Sequence, residues 1–350
     1  MLETQDHPGG GHAPPCSRGA PADANPLQAP FVWFGGKRRA AAQVWQALGD
    51  VDNYVEPFAG SLAVLLGRPG HHRRRCETVN DADAFLANFW RAIAADPDAV
   101  ARYADWPVNE TDLFARHLWL VRTGRERIAQ LEADPEWYDA KVAGWWVWGV
   151  NAWIGSGWCA GTGPWVLADD EQGHQLPHLG SPGQGVNRQL PHLGSPGRDL
   201  RAYFAELAAR LRRVRVCCGD WSRVVTNGAL SYGATVGVFL DPPYAGDVRT
   251  GSLYAVDNAE ISAAVRGWAI EHGGDRRLRI VLAGYATEHA PHMPPEWRVV
   301  PYTAGRAYGT AATAGTRTGN NANRHLERLW FSPHCLGSHQ DSLFELGESA

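Results

Sequence analysis

Apolar residues fall into short runs that alternate with longer stretches of helical period. DNYVEPF, RCETVND, RVRVCCGD, VGVFLDPPY, RIVLAGY and RLWFSP predict strands. KRRAAAQVWQALG, DAFLANFWRAIAA, LRAYFAELAARLRRV and EISAAVRGWAIEHG predict helices. This alternation predicts an α/β sheet covered by helices on both faces.

The pattern breaks between about 100 and 200. A long helical reading from Asn109 through Trp148 gives way to a Gly/Pro-rich stretch in which QLPHLGSPG occurs at 175–183 and again at 189–197. Two copies cannot stack into a solenoid, so the repeat reads as a duplicated surface loop. It places His178 and His192 in equivalent positions, but no Cys or acid recurs with them, and a metal site does not follow. Residues 1–29 and 334–350 lack an apolar period and read as a disordered leader and tail around a folded body at 30–333.

Composition narrows this picture. The 350 residues are 44% hydrophobic and include 16 Trp, which excludes a disordered chain. Seven of those Trp fall between Trp137 and Trp165. They read chiefly as the core of a small helical subdomain, with the Gly-rich end GSGWCAGTG as a contact loop able to stack on bases. A net charge of −4 gives no global basic signature, and the runs HHRRR, RLRRVRV and DRRLR read as solvated faces. The six Cys include no C-x-x-C pair, which suits free thiols in a reducing cytoplasm. No run is long and apolar enough for a membrane span, and no signal peptide is seen.

The chemistry concentrates at VGVFLDPPYAGD, 236–247. An apolar strand runs into Asp241, Pro242, Pro243 and Tyr244, at the strand end where α/β proteins bind ligands. The prolines fix the backbone, so the Asp241 carboxylate and the Pro242 carbonyl are rigid acceptors for an amino group beside a flat ring. Asp-Pro-Pro-Tyr arises by composition in on the order of one in a thousand chains of this length. VEPFAGS adds a strand ending in Glu56, Pro57 and Phe58, then small residues through which a cofactor can approach the backbone. Asp81 and Asp220 close two further strands.

At these residues the chain resembles the D12 class (Dam-like) DNA adenine-N6 methyltransferases, over about 30–332. The resemblance implies a Rossmann-like, S-adenosyl-L-methionine-dependent sheet with helices on both faces. The implied order is a cofactor half at 30–100, a mainly helical target-recognition insert at 101–200 and a catalytic half at 201–333. WFGGK resembles the motif whose aromatic and lysine contact S-adenosyl-L-methionine, here Trp33 and Lys37. VEPFAGS resembles the cofactor loop, which assigns Glu56, Phe58 and Gly60 to the donor. NDAD puts Asp81 on the ribose, and CCGDW puts Asp220 beside the cofactor's adenine. DPPY is the family's catalytic motif and assigns Asp241, Pro242 and Tyr244, with Asp241 also bordering the donor.

The implied reaction moves a methyl group to N6 of an adenine flipped out of double-stranded DNA, with no metal. The implied protein is a monomer or weak dimer in a bacterial cytoplasm, chromosomal or phage-encoded, with room for a cognate restriction enzyme. Cytosine-N4 methylation is the nearest alternative, but such enzymes more often carry Ser at the position of Asp241. A non-catalytic DNA-binding relative would not need the whole set Lys37, Asp81, Asp241 and Tyr244. An RNA methyltransferase fits the segment order less well. Many relatives carry further glycines where this chain has Ser61 and Leu62, and the insert matches no target-specific pattern.

Overall fold

A computed structural model describes residues 27–31, 37–70, 76–134, 136–153, 158–159, 199–243, 252–302 and 327–337. Trp33, Tyr244, the QLPHLGSPG repeat with His178 and His192, and HHRRR lie outside the described residues.

The strands are β1 (Asn53–Glu56), β2 (Cys76–Asp81), β3 (Val214–Cys218), β4 (Val236–Leu240), β5 (Leu278–Tyr285), β6 (Arg298–Pro301) and β7 (Glu327–Phe331). They form one seven-stranded sheet in the order β3-β2-β1-β4-β5-β7-β6. The first five are parallel; β7 runs antiparallel to both β5 and β6. The chain therefore builds outward from β1 in one direction and restarts from β4 in the other. A crevice opens between β1 and β4 at their C-terminal ends, the point where such sheets take ligands.

Side-chain alternation gives the sheet two apolar faces. Tyr54, Phe239, Val281 and Ala283 belong to one core, while Val55, Val238, Leu240, Ile280 and Leu282 belong to the other. Helix α1 (Ala41–Leu48) precedes β1, α2 (Ala63–Leu66) follows it, and α3 (Ala84–Ala95) and α4 (Pro97–Ala104) follow β2. Next come α5 (Glu110–Trp119), α6 (Arg125–Ile128), α7 (Ala140–Ala152) and α8 (Leu200–Leu211). The last are α9 (Ser252–His272) and α10 (Ala286–His289). Residues of α1, α3, α4, α7 and α8 share the first core, and Val265 and Ala269 of α9 lie in the second. Helices α4 and α7 are thus built onto the same apolar layer that covers the sheet, while Leu113 of α5 packs with Trp148, Ala152 and Trp153 in a smaller cluster.

The long helix expected from Asn109 to Trp148 is interrupted. After α5 come a π-turn at Leu120–Gly124, the short α6, a 3-10 turn at Ala129–Glu132 and an extended approach to α7. Arg91 of α3 organises this break by donating to the carbonyls of Leu131, Asp134 and Trp137 at 3.0–3.1 Å. Asp139 then restarts the helix, its Oδ1 accepting from Val142 N at 2.9 Å. Of the Trp-rich run, Trp146, Trp148 and Trp153 are buried, and Trp158 lies on α7 with its Nε1 donating to Trp146 O at 3.1 Å.

Residues 27–31, which straddle the expected end of the leader, pack against the body. Leu27 and Ala29 touch the first core and Phe31 enters it. At the other end, the chain beyond the expected boundary keeps Cys335 buried in the same core.

Candidate functional site

Five residues that the sequence nominated line one pocket at the break between β1 and β4. Lys37, Glu56, Phe58, Gly60 and Asp241, with Ala59, Ser61, Ala63, Val64 and Phe239, line a shallow space that opens to solvent. Lys37 opens the 3-10 turn before α1 and is only 4% exposed. Its Nζ lies 2.9 Å from Asp241 Oδ1. Burying an ammonium this deeply requires a counter-charge, and Asp241 supplies it. The lysine assigned to the donor and the acid assigned to catalysis are therefore paired. Pro242 follows, buried, and Pro243 is exposed.

Glu56 ends β1 and is 2% exposed. Its Oε2 accepts from Tyr54 Oη at 2.9 Å. Burial pushes its carboxyl up to about 8, helped by the neighbouring Asp241 and Asp81 and opposed by hydrogen bonds from Tyr54 and Leu65 N. The acid is therefore mostly protonated near neutral pH.

The loop after β1 is fastened by the end of β2. Asn80 Nδ2 donates to Pro57 O and to Gly219 O, each at 3.0 Å, and Ala59 N donates to Asn80 O at 2.9 Å. Gly60, at φ 46°, is held at both ends of its residue. Its N–H donates to Asp81 Oδ2 at 3.0 Å, and its carbonyl accepts from Trp90 Nε1 at 3.3 Å. Asp81 also accepts from Asp83 N at 3.0 Å. Burial raises the Asp81 carboxyl to about 6, against the pull of those N–H donors. Leu62 takes the left-handed conformation, φ 59° and ψ 22°, just before α2. That is a conformation which glycine adopts without strain and leucine does not.

Asp81 stands behind the pocket loop, and Asp220 stands at the sheet's edge. The Asp220 carboxylate is exposed and caps the 3-10 turn after β3, accepting from Ser222 N at 2.9 Å and from Ser222 Oγ. The adjacent Trp221 stacks on Phe58 with ring centroids 6.2 Å apart. The structure thus adds Tyr54, Asn80, Trp90 and Trp221 to the nominated set. Asn80 was the most accessible of these to sequence reasoning, since it precedes Asp81 in NDAD. The others are recognisable only by what they touch.

The pocket residues suit a nucleoside-bearing, cationic ligand. Small residues expose the backbone, Phe58 offers a ring, and the carboxyl of Glu56 faces a space whose one lysine is already engaged with Asp241. Among the described residues no group of three or more His, Cys, Asp or Glu could hold a metal, and no helix is long and apolar enough to cross a membrane.

The mixed, seven-stranded sheet flanked by helices is consistent with a methyltransferase fold. Residues 33–118 match the sequence model of the D12 class N6 adenine-specific DNA methyltransferase family, in agreement with the resemblance read from the motifs. The matched span carries Lys37, Glu56, Phe58, Gly60 and Asp81 and ends before Asp220 and Asp241. No curated protein matches the chain.

Proposed function

We propose that this protein is a DNA methyltransferase that modifies N6 of adenine, with S-adenosyl-L-methionine as donor. The observation that carries this reading is the meeting of the matched segment with DPPY: Lys37 and Glu56 share one pocket with Asp241 at the break of the sheet. When bound, S-adenosyl-L-methionine supplies a methyl group already activated by its sulfonium.

The chain's own residues then hold and aim the reactants. Lys37, Glu56, Phe58 and Gly60 would border the donor, and Asp81, which the resemblance assigns to the ribose, keeps the Gly60 turn in place. The target adenine leaves the helical stack, because its N6 is out of reach within the duplex. Asp241 and the Pro242 carbonyl accept its N6–H bonds and turn the nitrogen toward the methyl group, with Tyr244 stacking on the ring. Lys37 holds the Asp241 carboxylate in position for this. The positioning of N6 by these residues would supply most of the rate, and the N6 proton that the methyl group replaces would be lost to solvent. Asp220 borders the donor's adenine, and the helices at 97–152 with the segment that follows them contact the DNA.

Expression in a host free of DNA methylation, followed by single-molecule sequencing, tests the reading. N6-methyladenine at a defined site is expected, reduced at least about a hundredfold by Asp241→Ala. Unmethylated DNA from the wild type, or near-normal activity of Asp241→Ala, would overturn it. N4-methylcytosine would keep the chemistry and change the base.

A further inference from the structure

Tyr54 is fully buried in β1, two residues before Glu56 and on the same face of the strand. Its ring packs on Trp45 of α1 with centroids 4.7 Å apart, and Trp45 is itself pinned by a 2.7 Å bond from Nε1 to Val64 O. The phenol has no freedom to turn elsewhere, and its hydroxyl donates to Glu56 Oε2 at 2.9 Å. Phenylalanine would fill the same volume, so what the hydroxyl adds at this buried position is its bond to Glu56.

We propose that Tyr54 is a positioning residue for the methyl donor: its hydroxyl fixes the Glu56 carboxyl against the pocket, so that the carboxyl meets the positive charge of the donor. This rests on the donor reading above. Among the described residues, the ionisable groups that act most on Glu56 come from three strands. Tyr54 lies on β1, Asp81 ends β2, Asp241 follows β4, and Lys37 precedes α1 and is held by Asp241. With Lys37 so engaged, Glu56 faces two carboxylates and holds a proton; its carboxyl is raised to about 8. Tyr54 is itself raised well above its ordinary value by burial and by Glu56, so it stays a donor throughout. When the positive donor enters, Glu56 ionises and its proton passes to solvent. The hydrogen bond from Tyr54 stabilises the carboxylate so formed.

Calorimetric titration of the full chain with S-adenosyl-L-methionine, in buffers of different ionisation enthalpy between pH 6 and 9, tests this. The wild type is expected to release close to one proton per donor at about pH 7 and to bind more tightly as pH rises. Glu56→Gln keeps an acceptor for Tyr54 but cannot titrate, so that release should vanish even though the donor's own amine remains. Tyr54→Phe should weaken binding about five- to tenfold and move the pH midpoint upward, with the loss in donor KM rather than in kcat. Repeating the titrations with S-adenosyl-L-homocysteine separates the sources of charge. Release with both compounds assigns the ammonium, and release with the sulfonium alone assigns the sulfonium. A folded Tyr54→Phe with wild-type affinity and midpoint would overturn the proposal, as would equal proton release from Glu56→Gln. Donor binding with no proton release would overturn it alone, whereas no donor binding at any pH would overturn the methyl-donor reading beneath it.

Discussion

Leu62 shows how single residues keep the pocket loop in shape. A left-handed leucine costs about 1–2 kcal/mol relative to glycine, and full burial of its side chain contributes about 2–3 kcal/mol in return. With Leu62 at 0% exposure the balance favours leucine, which explains how the chain dispenses with a glycine here. Leu62→Gly is therefore expected to lower unfolding free energy by roughly 1–3 kcal/mol in urea titration; a gain would mean that strain outweighs burial.

Glu56 carries the clearest pH signature. Its folded value near 8 lies above the ordinary 4.5, so the native state binds the extra proton and stability falls as pH rises between those values. Full ionisation costs roughly 3–5 kcal/mol. Burial lowers His117 and His289 to about 4, which makes stability rise with pH from there to their ordinary 6.5. Asp81, raised to about 6, opposes them only below that pH. For these groups the optimum falls near about pH 6.5, with a decline toward pH 8 that belongs to Glu56 alone. Melting curves of Glu56→Gln should lack that alkaline decline.

At the scale of elements, sequence pattern worked where one face meets one partner. The strand runs and four helical stretches appear where hydrophobic period placed them, because β1, β2, β4 and β5 are largely buried and their covering helices turn apolar residues toward them. It failed between α5 and α7, where apolar residues face several neighbours and the break is imposed from outside by Arg91. It also passed over β6, an edge strand of four residues ending at Pro301 with Val299 52% exposed, too short and too wet to leave a period. The α3–α7 junction is a clamp: Asn88 Nδ2 donates to Asp139 O at 3.0 Å, and Asn88 Oδ1 accepts from Asp139 N at 2.9 Å. Asn88→Ala strands both buried peptide groups, and a loss of roughly 2–4 kcal/mol is expected in chemical denaturation, larger than an exposed asparagine would give.

In the molecule as a whole, the motifs at Glu56, Asp81, Asp220 and Asp241 were legible because each follows or closes a strand, where chemistry is concentrated in a few consecutive residues. Their meeting was less so. Nothing local says that Lys37 will contact Asp241; that follows from β4 being laid beside β1. Tyr54 and Trp90 were silent for the same reason, since a buried aromatic reads as core until its polar atom is seen on Glu56 or Gly60. The opposite end of the sheet is held by charge. Glu77 Oε1 accepts from Arg68 and Arg210 at 3.0 Å each, and its Oε2 accepts from Arg210 at 2.7 Å, with all three side chains buried or nearly so. Glu77→Ala leaves two guanidinium groups without their shared counter-charge, and unfolding free energy should drop by about 3–5 kcal/mol. Sited away from the pocket loop, the change should leave donor affinity intact in the folded fraction.

The segment at 27–31 has one more consequence. Gln28 O accepts from Tyr203 Oη at 2.5 Å, Pro30 O accepts from Asn151 Nδ2 at 3.2 Å, and Phe31 lies among Phe89, Trp90 and Trp146. Every one of those partners is synthesised after it. On a ribosome, the stretch that leads into Lys37 emerges early and waits, undocked, while α3, α7 and then α8 are made. Only after them does Asp241 arrive to take up the lysine's charge. The pocket is thus finished late in translation, and a chain released early would carry its motifs without their geometry.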